Sequence, residues 1–111
     1  MRATAAVTTM PDEAVTAADR LIALNPTSVD HRLGLVRALV LAGDWRRVEI
    51  EAGRALAVYP LDAQTRLFRA VALAKLGRAA EASREAAAAL ALHTDPKARA
   101  DGERWFAGQL R

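Results

Sequence analysis

The sequence predicts an all-α chain, a stack of antiparallel helix pairs with about six helices. Three observations carry this expectation. The first is an internal period: the interval from Pro26 to Pro60 equals that from Gly43 to Gly77. A recurring spacing of roughly 34 residues marks a repeated supersecondary unit. The second is composition: Ala occurs 27 times among 111 residues. Ala loses no side-chain entropy in a helix, and its small side chain lets helices approach closely. The third is punctuation, because Asp, Gly and Pro fall where helices should start and stop.

Sliding the chain by one such period aligns Val29–Pro60 with Ala63–Thr94, and ten of the 32 pairs are identical. They are Arg32 with Arg66, Leu33 with Leu67, Ala38 with Ala72, Leu39 with Leu73 and Gly43 with Gly77. Glu51 with Glu85, Ala52 with Ala86, Ala55 with Ala89, Leu56 with Leu90 and Ala57 with Ala91 complete the set. Ala richness inflates the count, but the Leu, Gly, Arg and Glu matches are independent of it.

The elements follow in order. The first ten residues contain no turn Gly and are expected to form a flexible segment, 1–10. Asp12-Glu13-Ala14 then opens a helix that Asn25-Pro26 closes. Ser28 caps the next helix, about Val29 to Ala42. Gly43 ends it, as the residue best able to take the left-handed conformation. Asp44 caps a helix in which Trp45, Val48, Ala52, Ala55 and Tyr59 form one apolar stripe. Pro60 stops that helix. Asp62 caps the following one, about Ala63 to Leu76, which Gly77 ends. A helix from about Ala79 to His93 carries the stripe Ala79, Ala82, Ala86 and Ala89. Asp95-Pro96 starts the last helix, about Pro96 to Leu110, with Asp at the N-cap and Pro at the first helical position.

This repeated helix–turn–helix unit resembles the tetratricopeptide repeat in its period. Gly43-Asp44-Trp45 is similar to that family's Gly-Asp-aromatic turn. Ala55 and Pro60 match its late small residue and its closing proline. Leu35, Leu39 and Ala52 fall on its packing positions, as do Ala82, Ala86 and Ala89 in the next unit and Ala14, Ala18 and Leu21 in the first helix. Arg69 departs from the pattern, standing where the family usually has Leu, and Thr94 replaces the second closing Pro. The implied organisation is a half repeat over 11–28, full repeats over 29–62 and 63–96, and a capping helix over 97–111. The resemblance implies a right-handed superhelical α-solenoid.

Chemistry has little to work with. Cys is absent, which removes disulfides, thiolate metal sites and Cys nucleophiles. His31 and His93 are the only histidines, each expected to be exposed near a helix end, and no second ligand stands at metal spacing. Ser28 and Ser83 lie in no nucleophile motif, and no Gly-rich loop can cradle phosphate. The expectation is no enzyme, no cofactor and no metal. The net charge is +3, with 14 of the 16 basic residues Arg. They are spread over every helix and interleaved with 13 acids, which speaks against a nucleic-acid stripe. Met1 to Met10 holds no signal-peptide core, and no apolar run approaches the roughly 20 residues of a membrane span. A cytoplasmic protein away from the membrane is expected.

The resemblance implies a concave groove lined by the first helix of each pair. Carried onto this chain, its wall comprises Leu33, Arg37 and Leu41, then Gln64, Leu67, Phe68, Val71 and Lys75, and finally Trp105. The Lys and Asn side chains with which some repeat domains clamp a terminal carboxylate are missing from it. The adjacent Trp105 and Phe106 cannot share one side of a helix, so one is expected to cover the preceding repeat and the other to stay partly exposed. An apolar wall edged by Arg37 and Lys75 predicts a protein or peptide partner. Self-assembly into a homo-oligomer through the same groove is the second reading, and nucleic-acid binding the third.

Overall fold

In the computed structural model the backbone is described for residues 2–110, and side chains for 12–28 and 30–110. Six helices follow one another: α1 Arg2–Leu24, α2 Val29–Ala42, α3 Trp45–Val58, α4 Ala63–Lys75, α5 Ala79–Ala91 and α6 Pro96–Gln109. There is no strand among the described residues. Each helix packs against the next, and α4 also touches α2 and α6. Among the described residues no close backbone approach joins α1 to α3 or α3 to α5. The helices α2, α4 and α6 therefore lie side by side along one face. The radius of gyration, 14.5 Å, exceeds the ~13 Å of a compact domain of this length, as a stack with few long-range closures should.

The two internal turns are the same turn. Gly43 has φ 73° and Gly77 φ 84°, a conformation that costs any residue with a Cβ about 1–2 kcal/mol. After each glycine the chain makes the same two bonds. Gly43 and Asp44 donate to the carbonyls of Val40 and Leu39 at 3.1 Å each; Gly77 and Arg78 donate to those of Ala74 and Leu73 at 3.1 and 2.9 Å. This pairing satisfies carbonyls that a helix end leaves free. Ser28, Asp44 and Asp95 cap α2, α3 and α6 through their side chains. Asp62 does not: its carboxylate accepts from the Thr65 hydroxyl at 2.8 Å and leaves the backbone N–H groups alone.

The core runs through the middle of the stack. Leu35, Leu39, Val48, Ala52, Ala55, Ala82, Ala86 and Ala89 are buried, as the stripes and packing positions predict, and so is Leu73; Ala79, the first member of the α5 stripe, is exposed. Trp45 packs against this core. Tyr59 does not, being half exposed; α3 stops at Val58, so the stripe's last position leaves the helical register.

Two expectations for the first helix need correction. The α1 backbone is helical from Arg2, where a flexible segment over 1–10 was expected; Pro11 lies within it. On its inner face Val15, Ala18 and Ile22 pack with Leu35, Leu39 and Val48, while Ala14 is exposed and Leu21 is 46% exposed. Among the described residues, α2 is the one helix whose backbone lies close to that of α1. Nothing among them covers the side that Ala14 and Leu21 would use.

Charge pairs tie the units together with the same period. Arg32 donates to the Pro26 carbonyl at 3.3 Å and faces Glu51 at 3.6 Å; Arg66 donates to the Pro60 carbonyl at 2.9 Å and to Glu85 at 3.0 Å. Arg69 also donates to Glu85, at 2.8 Å, and lies 4.0 Å from Glu49. It thereby links α3 to α5 through α4. Arg47 on α3 reaches Asp19 on α1 at 3.1 Å, and that hydrogen bond holds its guanidinium above the ordinary range.

Candidate functional site

The face made by α2, α4 and α6 carries two adjoining depressions. The first, about 440 Å³, is walled by Arg37, Val40 and Leu41 of α2, Phe68 of α4, and Trp105 and Gln109 of α6. The second, about 340 Å³, is walled by Gln64, Leu67 and Phe68 of α4, by His93, and by Asp101, Gly102 and Trp105 of α6. Phe68 and Trp105 belong to both. Their rings meet edge to face, centroids 5.5 Å apart at 62°, the favoured geometry for an aromatic pair. The pair forms the ridge between the two hollows.

Local sequence explains this arrangement. Asp95-Pro96 starts α6 and aims it back over α4 and α5. At Gly102 a Cβ would stand 2.8 Å from Leu90 Cδ2 and 3.8 Å from Leu67 Cδ2 and His93 Nε2. Glycine thus lets α6 sit close over α4 and α5 without displacing the Leu90 side chain. Trp105 and Phe106 both pack on the cluster of Leu67, Ala70, Ala86 and Ala89, and both are partly buried. One aromatic was expected to cover the preceding repeat and the other to stay partly exposed; instead both cover it and both stay partly exposed.

The expected groove residues divide. Arg37, Leu41, Gln64, Leu67, Phe68 and Trp105 gather around the two hollows. Leu41 is 75% exposed beside the aromatic ridge. Leu33 lies elsewhere, in a third depression with Tyr59, Pro60 and Leu61. Lys75 is exposed in the last turn of α4. Val71 is wholly buried and offers a partner no surface. His93 was expected to be exposed; it is partly buried and walls the second hollow. Its one sequence signal is its place a full period after Tyr59, at the end of a helix pair. His31 is likewise partly buried, with Nδ1 lacking a hydrogen-bond partner among the described residues.

The electrostatics of the face are asymmetric. Arg37 donates through Nε and Nη2 to Gln64 Oε1, at 3.4 and 3.3 Å. It has no carboxylate within ion-pair distance among the described residues. Asp101, on the far side of the ridge, pairs with Arg104 one turn along α6. Among the described residues no three His, Asp or Glu side chains gather into a cluster able to hold a metal, and no helix is long and apolar enough to cross a membrane.

No family model, no curated protein and no solved structure matches this chain.

Proposed function

We propose that this chain is a protein–protein interaction module of the tetratricopeptide type, a scaffold or adaptor with no chemistry of its own. Its helix pairs form a right-handed superhelical stack, and a partner's peptide or helix lies across α2, α4 and α6. The observation that carries this reading is the Phe68–Trp105 ridge with Leu41 beside it. Leu41 is 75% exposed there, and Phe68 and Trp105 are partly buried, together on the side where three helices align. Large aromatics flanked by apolar hollows are the usual anchors of a binding interface. The repeated turns at Gly43 and Gly77 and the repeated Arg–Glu pairs support the repeat reading. Nucleic-acid binding is disfavoured because Arg32, Arg47, Arg54, Arg66, Arg69, Arg78 and Arg104 already face carboxylates.

The test is selection from a displayed library of random peptides, followed by titration of the enriched sequences. Leu41→Glu is the main variant, since Leu41 is 75% exposed and the change should leave the helical circular dichroism intact. Phe68→Glu is the stronger but riskier change, because Phe68 also packs on the core. Saturable binding of one sequence class, lost in Leu41→Glu, is the expected result. Absence of any enriched class, or equal binding by the variant, would sink the reading.

A further inference from the structure

We infer that the occupant of this face is a polypeptide segment with a fixed charge order: an acidic residue, then an apolar one, then a basic one, running from α2 towards α6. This inference rests on the interaction reading above and adds the partner's chemistry to it. The two hollows share one apolar ridge but differ in sign. The α2 side offers Arg37, and the α6 side offers Asp101.

Arg37 is set for a carboxylate. Gln64 Oε1 accepts from its Nε and Nη2, which fixes the plane of the guanidinium. Nη1 and the second Nη2 hydrogen remain, and those two donors point the same way from the planar fork. An incoming carboxylate can take both. The remaining groups around that hollow are Val40, Leu41, Phe68, Trp105 and the neutral Gln109, so no anion on its walls competes.

Asp101 is set for a cation. Its resident partner, Arg104, is an exposed i,i+3 neighbour with a side chain 71% accessible. Such a pair contributes little and exchanges readily. The polar groups sharing the second hollow with Asp101 are Gln64 and His93. A lysine or arginine arriving there finds the Asp101 carboxylate and the Trp105 ring on one wall, a combination suited to an ion pair with cation–π support. Between the charges, an aliphatic or aromatic side chain covers the Phe68–Trp105 edge. A segment laid with its base on Arg37 and its acid on Asp101 meets like charge at both ends, so each such segment binds in one direction.

The experiment repeats the library selection with wild type, Arg37→Glu, Asp101→Lys and the double variant. Arg37 and Asp101 are both exposed, and circular dichroism checks that each variant keeps its helices. Wild type should enrich acid–apolar–base sequences. A synthetic peptide of that class should bind about tenfold more weakly to either single variant, since each swap removes one exposed ion pair and adds a repulsion of similar size. The double variant should regain binding of that peptide, laid the other way along the face. Enrichment of apolar sequences without charge order, still lost in Leu41→Glu, would overturn this inference and leave the interaction reading standing. No enrichment at all would remove both. A wild-type dimer that falls apart in Leu41→Glu would assign the face to a second copy and overturn the inference as well.

Discussion

Replacing Glu85 with Ala should destabilise the fold by about 2–3 kcal/mol, a large loss for a residue outside the apolar core. Glu85 on α5 accepts from Arg66 at 3.0 Å and from Arg69 at 2.8 Å, both on α4. The three side chains are 15%, 23% and 27% exposed. Each charge-assisted bond at this partial exposure contributes about 1 kcal/mol, below the value for a sealed pair and above that for a surface pair. Removing Glu85 also strands Arg69. Its Nε is already buried without a partner, and Glu49 at 4.0 Å becomes its only counter-charge among the described residues. That desolvated cation adds roughly 1 kcal/mol more. The better helix propensity of Ala returns a few tenths. For a domain of this length the midpoint of thermal unfolding should fall by about 10 °C. The assay is thermal and urea unfolding followed by circular dichroism, with exposed Ser83→Ala on the same helix as the reference. A double-mutant cycle with Arg66→Ala should return a coupling of about 1 kcal/mol. Glu51→Ala, one period earlier, should behave alike, because Glu51 is 7% exposed and faces Arg32, Arg47 and Arg54. If Glu85→Ala were no worse than Ser83→Ala, the view that these pairs hold the helix layers together would be refuted.

Gly43→Ala and Gly77→Ala should each cost about 1–2 kcal/mol, because both glycines sit at positive φ. The double variant should lose the sum within about 0.5 kcal/mol, measured by urea unfolding. Leu73→Ala, at a wholly buried position, should cost about 2–5 kcal/mol by the same assay. A hydrogen bond from Arg78 holds the partly exposed Glu81 carboxyl below its ordinary range. The contribution of that pair is therefore complete above the ordinary carboxylate range and fades as the pH falls through the depressed value. A carbon-detected titration of Glu81 should move upward in Arg78→Ala.

What could be read from the chain is what a helix decides locally. A left-handed turn calls for glycine, so Gly43 and Gly77 announced two helix ends. A helix start favours Asp or Ser, and a buried stripe repeats every three or four residues. What escaped depends on how one helix is rotated against another. Val71 sits one turn after Leu67, so a lining position and a core position looked alike until α6 and α2 closed over α4. Arg69 broke the apolar pattern, and nothing near it in sequence pointed to Glu85, 16 residues away on the next helix. Trp105 and Phe106 are neighbours on α6, yet both pack on the one cluster of Leu67, Ala70, Ala86 and Ala89, a placement set by how α6 crosses α4 and α5.

The period itself shows which positions packing holds alike. Most positions that match one period apart hold the stack together: Leu39 and Leu73 in the core, Gly43 and Gly77 in the turns, and Arg32–Glu51 and Arg66–Glu85 between helices. Leu33 with Leu67 and Ala57 with Ala91 match without so plain a role. The open face behaves oppositely. Arg37 corresponds to Val71, Leu41 to Lys75, and Gly34 to Phe68. Packing does not hold these positions alike: Arg37 is exposed where Val71 is wholly buried, and Leu41 and Lys75 are both exposed. The differences instead place one cation, one aromatic ridge and one anion in a row, each once. A surface that breaks its own symmetry in this way can fix the direction of what binds it, which a face of identical units cannot do.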